Sequence, residues 1–240
     1  MNPLISIIGT TYNQVKLLER GLSIWATQNT IIPYEVIVID DESIDETSRF
    51  MQQFKKKYSC VRYIIAHRKI PCNHKTLYVC SSTNNLGVKL AKSNIIAITW
   101  FDRIPLRNAI NELYYPHLVE SKAFVSITAR HIASSSSMEV IEEQKINKLI
   151  ESVDWKNNPE ELYKIVGPIG RHCLSAYQNE SACFSVKKEY YATIGGYDER
   201  YKMLPSYCNI ELFARFKKYG LKFIFGNGAN FHQPHDSPRS

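Results

Sequence analysis

Chemistry in this chain falls to a few polar residues placed where apolar runs stop. The run Ile96-Ala97-Ile98-Thr99 ends in Trp100-Phe101 and a single carboxylate, Asp102. The β-branched run 35–39 ends in Asp40-Asp41-Glu42-Ser43, and the first apolar run, 4–9, ends in Thr10-Thr11-Tyr12-Asn13. A carboxylate in such a place has two uses. It can cap a following helix by accepting from its free N–H groups, as Asp102 would for a segment starting near Pro105. It can instead hold a hard cation through its oxygens. Three polar ends of apolar strands favour a shared site over three separate turns, because ligands of open α/β sheets lie beyond the carboxyl ends of the strands.

The elements that must position these residues alternate along the chain. Val15, Leu18, Leu22 and Trp25 have helical spacing, which predicts a helix over 14–28. Ser43 or Asp45 can cap a second helix over 45–57, with Glu46 at its positive end. Strands are predicted over 61–66 and 95–99, an irregular basic stretch over 67–82, and helices over 85–92 and 105–115. The second half is less regular: a strand over 124–132, amphipathic helical segments over 138–165, and a glycine-bearing loop over 167–178. A strand over 182–186, helices over 187–194 and 209–219, a strand over 221–225 and a weakly structured tail from 230 complete it. Strands separated by helical segments argue for a mostly parallel, Rossmann-like sheet flanked by helices, an α/β fold. With no repeat or long linker, one domain over 1–240 is the simplest organisation.

Composition narrows the function classes. Of 240 residues, 44% are hydrophobic and 22% charged, the balance of a globular protein. No apolar run reaches the ~18 residues that cross a bilayer, and the opening MNPLISII has no basic segment before its apolar run, so it reads as a first strand. The expected location is cytoplasmic. A net charge of +7 suits anionic ligands: a nucleotide, a phosphorylated acceptor, or an acidic membrane surface met peripherally. Lys55-Lys56-Lys57 reads as a solvated helix end, and no segment interleaves aromatic with basic residues, so nucleic acid is not an expected partner. The six cysteines are scattered and expected as free thiols. Cys72-Asn73-His74 with Cys80 lacks the paired spacing of a zinc site.

Taken in order, "ISIIGTTYN", "EVIVIDDESIDET", "NNLGVKLAKSNIIAITWFD", "IGGYDERY" and "IELFARFKKYG" resemble the motifs of inverting family 2 glycosyltransferases. The resemblance spans about residues 4–115 and 180–235 and implies a GT-A fold. Residues 1–115 would then form the nucleotide-sugar half and 116–240 the acceptor side. It implies that Thr11 and Tyr12 flank the nucleotide base, Tyr12 by stacking, and that Asp40 accepts from the base's ring N–H. Asp41 and Ser43 would shape the same pocket. Asn85 would approach the donor sugar, and Phe101 would join the donor-binding residues. Asp102 corresponds to the last acid of the metal-binding DXD element, serving Mn2+ or Mg2+, and His232 to a late histidine returning to that metal. Arg68, Lys69 and Lys75 are candidates for further charge on the diphosphate, and Arg171 and His172 for a phosphate or acceptor. The donor would be UDP-linked, and the acceptor a hydroxyl of a glycan, a lipid-linked molecule or a protein.

Two positions depart from the pattern. Trp100 stands where the leading acid of the metal element commonly sits. Cys208-Asn209 stands where the family carries the acid that deprotonates the acceptor hydroxyl, and an amide cannot take a proton. The candidates left for a general base are Glu211, a helical step further on, and Asp198 or Glu199 of "GGYDERY". A catalytically degenerate relative that binds nucleotide-sugar or glycan without transfer is the second expectation.

Overall fold

The structure, a computed structural model, describes residues 2–67, 80–131, 183–200 and 205–233. Its first half alternates β1 (Ile5–Thr11), α1 (Val15–Trp25), β2 (Tyr34–Asp40), α2 (Thr47–Lys57), β3 (Val61–Ile65), α3 (Cys80–Leu90) and β4 (Ile95–Trp100). There follow β5 (Arg103–Pro105), α4 (Ala109–Tyr114), α5 (Pro116–Val119), β6 (Ala123–His131), β7 (Cys183–Lys187), α6 (Lys188–Thr193), α7 (Pro205–Tyr219) and β8 (Lys222–His232). The strands form one sheet in the order β3-β2-β1-β4-β7-β6-β8-β5. β1, β2, β3 and β4 run parallel, β7 runs against β4 and β6, and β6 and β8 are parallel to each other. Among the described residues no helix is long and apolar enough to cross a membrane.

Side chains alternate across a strand, so the apolar runs of β1, β2 and β4 divide their residues between two cores. Ile5, Ile7, Val36, Val38, Ile95 and Ala97 pack with Leu18, Leu22 and Trp25 of α1 and with Met51 and Phe54 of α2. Ile8, Ile37, Ile39, Ile96 and Ile98 pack on the other face with Val88 of α3 and Leu212, Phe213 and Phe216 of α7. Continuous apolar strands are the signature of a sheet covered on both sides. Lys55, Lys56 and Lys57 lie exposed in the last turn of α2, where the helix dipole favours cations.

Several expected boundaries move. Pro105 does not open a helix. It ends β5, whose residues pair antiparallel with Asn230, Phe231 and His232 of β8. β5 lies at the sheet edge, where a residue without an N–H is tolerated. The segment from 230 is correspondingly strand for its first three residues, not tail. α3 starts at Cys80, ahead of the expected 85. α7 starts at Pro205, since proline suits the first turn, where its missing N–H costs nothing. Cys208 and Asn209 therefore lie inside the helix, not before it. The expected segments over 138–165 and 167–178, Arg68, Lys69, Lys75, Arg171, His172, Cys72 and His74 lie outside the described residues.

Candidate active site

Register fixes the floor of the site. Thr11 sits beside Asp40 across β1–β2, and Thr10 beside Trp100 across β1–β4, so the three polar strand ends share one edge of the sheet. The loops leaving β1 and β2 are clasped together. Asn13 N–H donates to Ser43 Oγ (2.9 Å), Ile44 N–H to Asn13 Oδ1 (2.8 Å), and Asp41 N–H to Thr11 O (3.0 Å). Asn13 and Glu42 both take positive φ, 49° and 61°. Asparagine accepts that conformation readily and glutamate does not, and such strain collects at functional loops. Asp45 satisfies two helix starts at once, accepting from Val15 N–H of α1 (3.1 Å) and Thr47 N–H of α2 (3.0 Å). The N-cap position of α2 is Glu46, one residue after Asp45, so neither Ser43 nor Asp45 occupies it as expected.

Thr11, Asp40 and Asp41 are buried, and Tyr12 keeps 9% of its surface exposed. Asp40 is oriented by two donors, the Ser43 N–H at 2.9 Å and the Tyr63 hydroxyl. A carboxylate has about four acceptor positions, so capacity remains for a third donor such as a base N–H. Burial, and then the Asp40 hydroxyl bond and charge, push the Tyr63 phenol well above its ordinary range, which keeps it a donor. Tyr63 was not foreseen. Its alternation on β3 marks it only as one more half-buried strand aromatic.

The second cluster forms where β5 meets β8. Arg103 pairs with His232 in the ladder, and the Gln233 N–H donates to Asp102 O at 3.1 Å. His232 Nε2 consequently lies 3.2 Å from Asp102 Oδ2. Two ligands of one divalent ion, each about 2.1 Å from it at right angles, lie about 3 Å apart, so the separation fits a shared cation. One carboxylate and one imidazole leave most positions to phosphate oxygens and water. Among the described residues no group of three or more His, Cys, Asp or Glu side chains could hold a metal.

Other expected residues are already engaged. Phe101 is 1% exposed, and its ring covers Gly9 so closely that a Cβ there would lie 2.6 Å from it. Phe101 packs in the core, its ring on Gly9 of β1, and not toward the open edge of the sheet where a donor was expected. Asn85 does not offer its amide to a sugar. Its Nδ2 donates to Tyr197 O and Glu199 Oε1, both at 2.9 Å, and its Oδ1 accepts from the Tyr191 hydroxyl (2.7 Å) and the Tyr197 N–H (3.0 Å). It ties α3 to the Gly195-Gly196-Tyr197 turn, whose Gly196 has φ +66° and room for no side chain beside Asn85 Oδ1.

Asp198 and Glu211 are both held by arginines. Arg200 forks Asp198 at 2.6–3.0 Å, and that bonding pulls the carboxyl down to about 2. A carboxylate so acidic takes a proton poorly near neutrality. Glu211 has one oxygen on Arg215 Nε and the other on Nη2, both at 2.5 Å, while Arg215 Nη1 donates to Ile194 O. Asn209 is fully buried and accepts from the Tyr197 hydroxyl at 2.6 Å. Cys208 is buried as well, packed with Leu212, Phe213 and Phe216 of the same helix.

A mostly parallel α/β sheet with acids at its carboxyl edge and a carboxylate–histidine pair beside them has the GT-A layout. Solved structures share that fold. A mannosyltransferase from Pyrobaculum calidifontis, determined with GDP-Man and Mn2+, superposes over 97% of this chain and 57% of its own with a TM-score of 0.63 at 15% identity. S. aureus TarS with UDP-GlcNAc matches 98% of this chain and 60% of its own, with a TM-score of 0.65 at 13% identity. In sequence, the family described as Glycosyl transferase family 2 matches residues 6–71. The hyaluronan synthase of Pasteurella multocida is 32% identical over 101 residues, 42% of this chain and 10% of that protein. The chondroitin synthase of the same species is 28% identical over 161 residues, 65% of this chain and 15% of that protein. This chain therefore spans only about a tenth to a seventh of those relatives. Over residues 6–71 the chain is thus similar in sequence to the family 2 glycosyltransferases.

Proposed function

We propose that the chain transfers a sugar from a nucleotide-sugar, UDP-linked, to an acceptor hydroxyl with inversion, with Mn2+ or Mg2+ at Asp102 and His232. The observation that carries this reading is the 3.2 Å approach of His232 to Asp102, two residues 130 positions apart. The bound cation would neutralise charge developing on the departing diphosphate. Asp40, held by Tyr63 and Ser43, accepts the base N–H, and Tyr12 and the Thr11 strand end bound the base. The names of the relatives favour a glycan as acceptor, received on the side built by residues 116–240.

A second reading keeps donor binding without transfer. It is favoured by the state of the base candidates: Asp198 forked by Arg200, Glu211 forked by Arg215, and Asn209 buried against Tyr197. For transfer, the Arg215 fork must open so that Glu211 can take the acceptor proton.

Calorimetric titration with UDP, in Mn2+ and in EDTA, tests the first reading. UDP should bind at least tenfold tighter with Mn2+, and Asp102→Ala should remove that gain. No nucleotide binding in either condition would sink it. UDP release from UDP-sugars separates the two readings: release that disappears in Glu211→Gln excludes the non-catalytic one.

A further inference from the structure

Arg103 follows Asp102 and is 6% exposed, yet its charge is poorly matched. The nearest carboxylate oxygen, Asp102 Oδ1, is 3.9 Å from Nε, beyond hydrogen-bond reach. Nε and Nη1 are buried without a hydrogen-bond partner among the described residues. The guanidinium carbon lies 5.9 Å from the centre of the Trp100 ring, which flanks it on one side. Nothing else in the described sheet leaves a buried cation so incompletely bonded. Glu35, for contrast, accepts from Arg62 (2.7 Å), from Ser6 (2.8 Å) and from the Lys92 N–H (2.7 Å).

A buried guanidinium with unmade N–H bonds is costly unless an anion completes it. Its planar fork matches two oxygens of one phosphoryl group. The backbone sets where that anion would lie. Arg103 is paired with His232 in the β5–β8 ladder and adjoins Asp102 in sequence, so its charge belongs to the candidate cation pair. Trp100 removes one negative charge from the place where a leading acid would sit, and Arg103 adds a positive one three residues on.

We propose that Arg103 is a phosphate-binding residue of the donor site, giving the diphosphate a cationic contact that does not depend on metal. The proposal rests on the donor reading above. In this chain the diphosphate is thus met from two sides, by a cation at Asp102 and His232 and by the Arg103 fork.

The test compares UDP with uridine, both titrated in EDTA, so that the difference reports the phosphates alone. Wild-type protein should bind UDP at least tenfold tighter than uridine. Arg103→Met should bring that ratio within twofold of unity while uridine affinity holds. If Arg103→Met loses its cooperative melting transition, Arg103→Lys is used; it keeps the charge without the fork, and its ratio should fall at least threefold. An EDTA ratio near unity in wild type, or one unchanged by either substitution, overturns the proposal and leaves the donor reading intact. Failure of UDP to bind even with Mn2+ overturns both.

Discussion

Replacing Gly21 with alanine tests whether α1 supports the loop that carries Asp102 directly. A Cβ at Gly21 would lie 2.4 Å from both Phe101 O and Arg103 O, whereas ordinary contact begins near 3.4 Å. The obstacles are backbone carbonyls on either side of Asp102, so no side chain can swing away. Helix propensity alone points the other way, since Gly→Ala inside a helix gains about 1 kcal/mol. Overpacking a closed contact costs about 1–3 kcal/mol, and more where backbone must move. The contact should win, for a net loss of about 1–2 kcal/mol. For a chain of this size that lowers Tm by about 2–8 °C. Relief requires the 101–103 loop to retreat by about 1 Å, which would separate Asp102 from His232; the Mn2+-dependent gain in UDP affinity should fall at least tenfold. Urea unfolding and calorimetry measure the two effects. A Gly21→Ala protein that is more stable than wild type, with its Mn2+ dependence intact, would refute the packing argument.

Two further outcomes follow from residues remote from the cation pair. His117 is buried, with Nε2 2.9 Å from Ser185 Oγ, which itself donates to Leu113 O, and burial lowers its pKa from 6.5 to about 4. The unfolded chain takes up a proton below 6.5 and the folded chain does not until about 4, so stability falls as pH drops through that window, by up to about 3 kcal/mol. Urea unfolding at pH 7 and pH 4.5 should show the loss in wild type and a smaller one in His117→Gln; parallel profiles would refute it. Asn85→Ala leaves the Tyr191 hydroxyl without its acceptor and removes the shorter of two bonds from the Tyr197 N–H, which keeps the Tyr191 oxygen at 3.2 Å. It should cost about 1–3 kcal/mol and speed amide exchange over 195–200, and unchanged exchange there would show that the latch is not structural.

Much of the sheet's polar edge was legible because its signals are local. Apolar runs with polar ends require only the two-residue side-chain period, and two-sided burial follows from their continuity. Thr11, Asp40 and Asp102 could be singled out on that basis. The double role of Asp45, accepting from two helix starts, shows only in part: the sequence offers one helix to cap, and the fold brings a second.

What the tertiary structure decided is which distant groups meet. Between Ile127 and Thr128 the β6–β8 register slips, with Asn227 and Gly228 as additional residues on β8. That shift carries Asn230, Phe231 and His232 alongside β5 and so sets His232 against Asp102. No propensity in "NFHQPHD" encodes the slip, since strand register is fixed by the partner and by burial. Asn85 and Glu211 show the same limit from the other side. Their types suited a donor contact and a base; the fold gives Asn85 four bonds to the Tyr191–Glu199 segment and holds Glu211 in a fork with Arg215. Sequence by itself determined the sheet, its polar edge and the acids on it; the long-range pairing of β5 with β8 decided which of those acids has a histidine beside it.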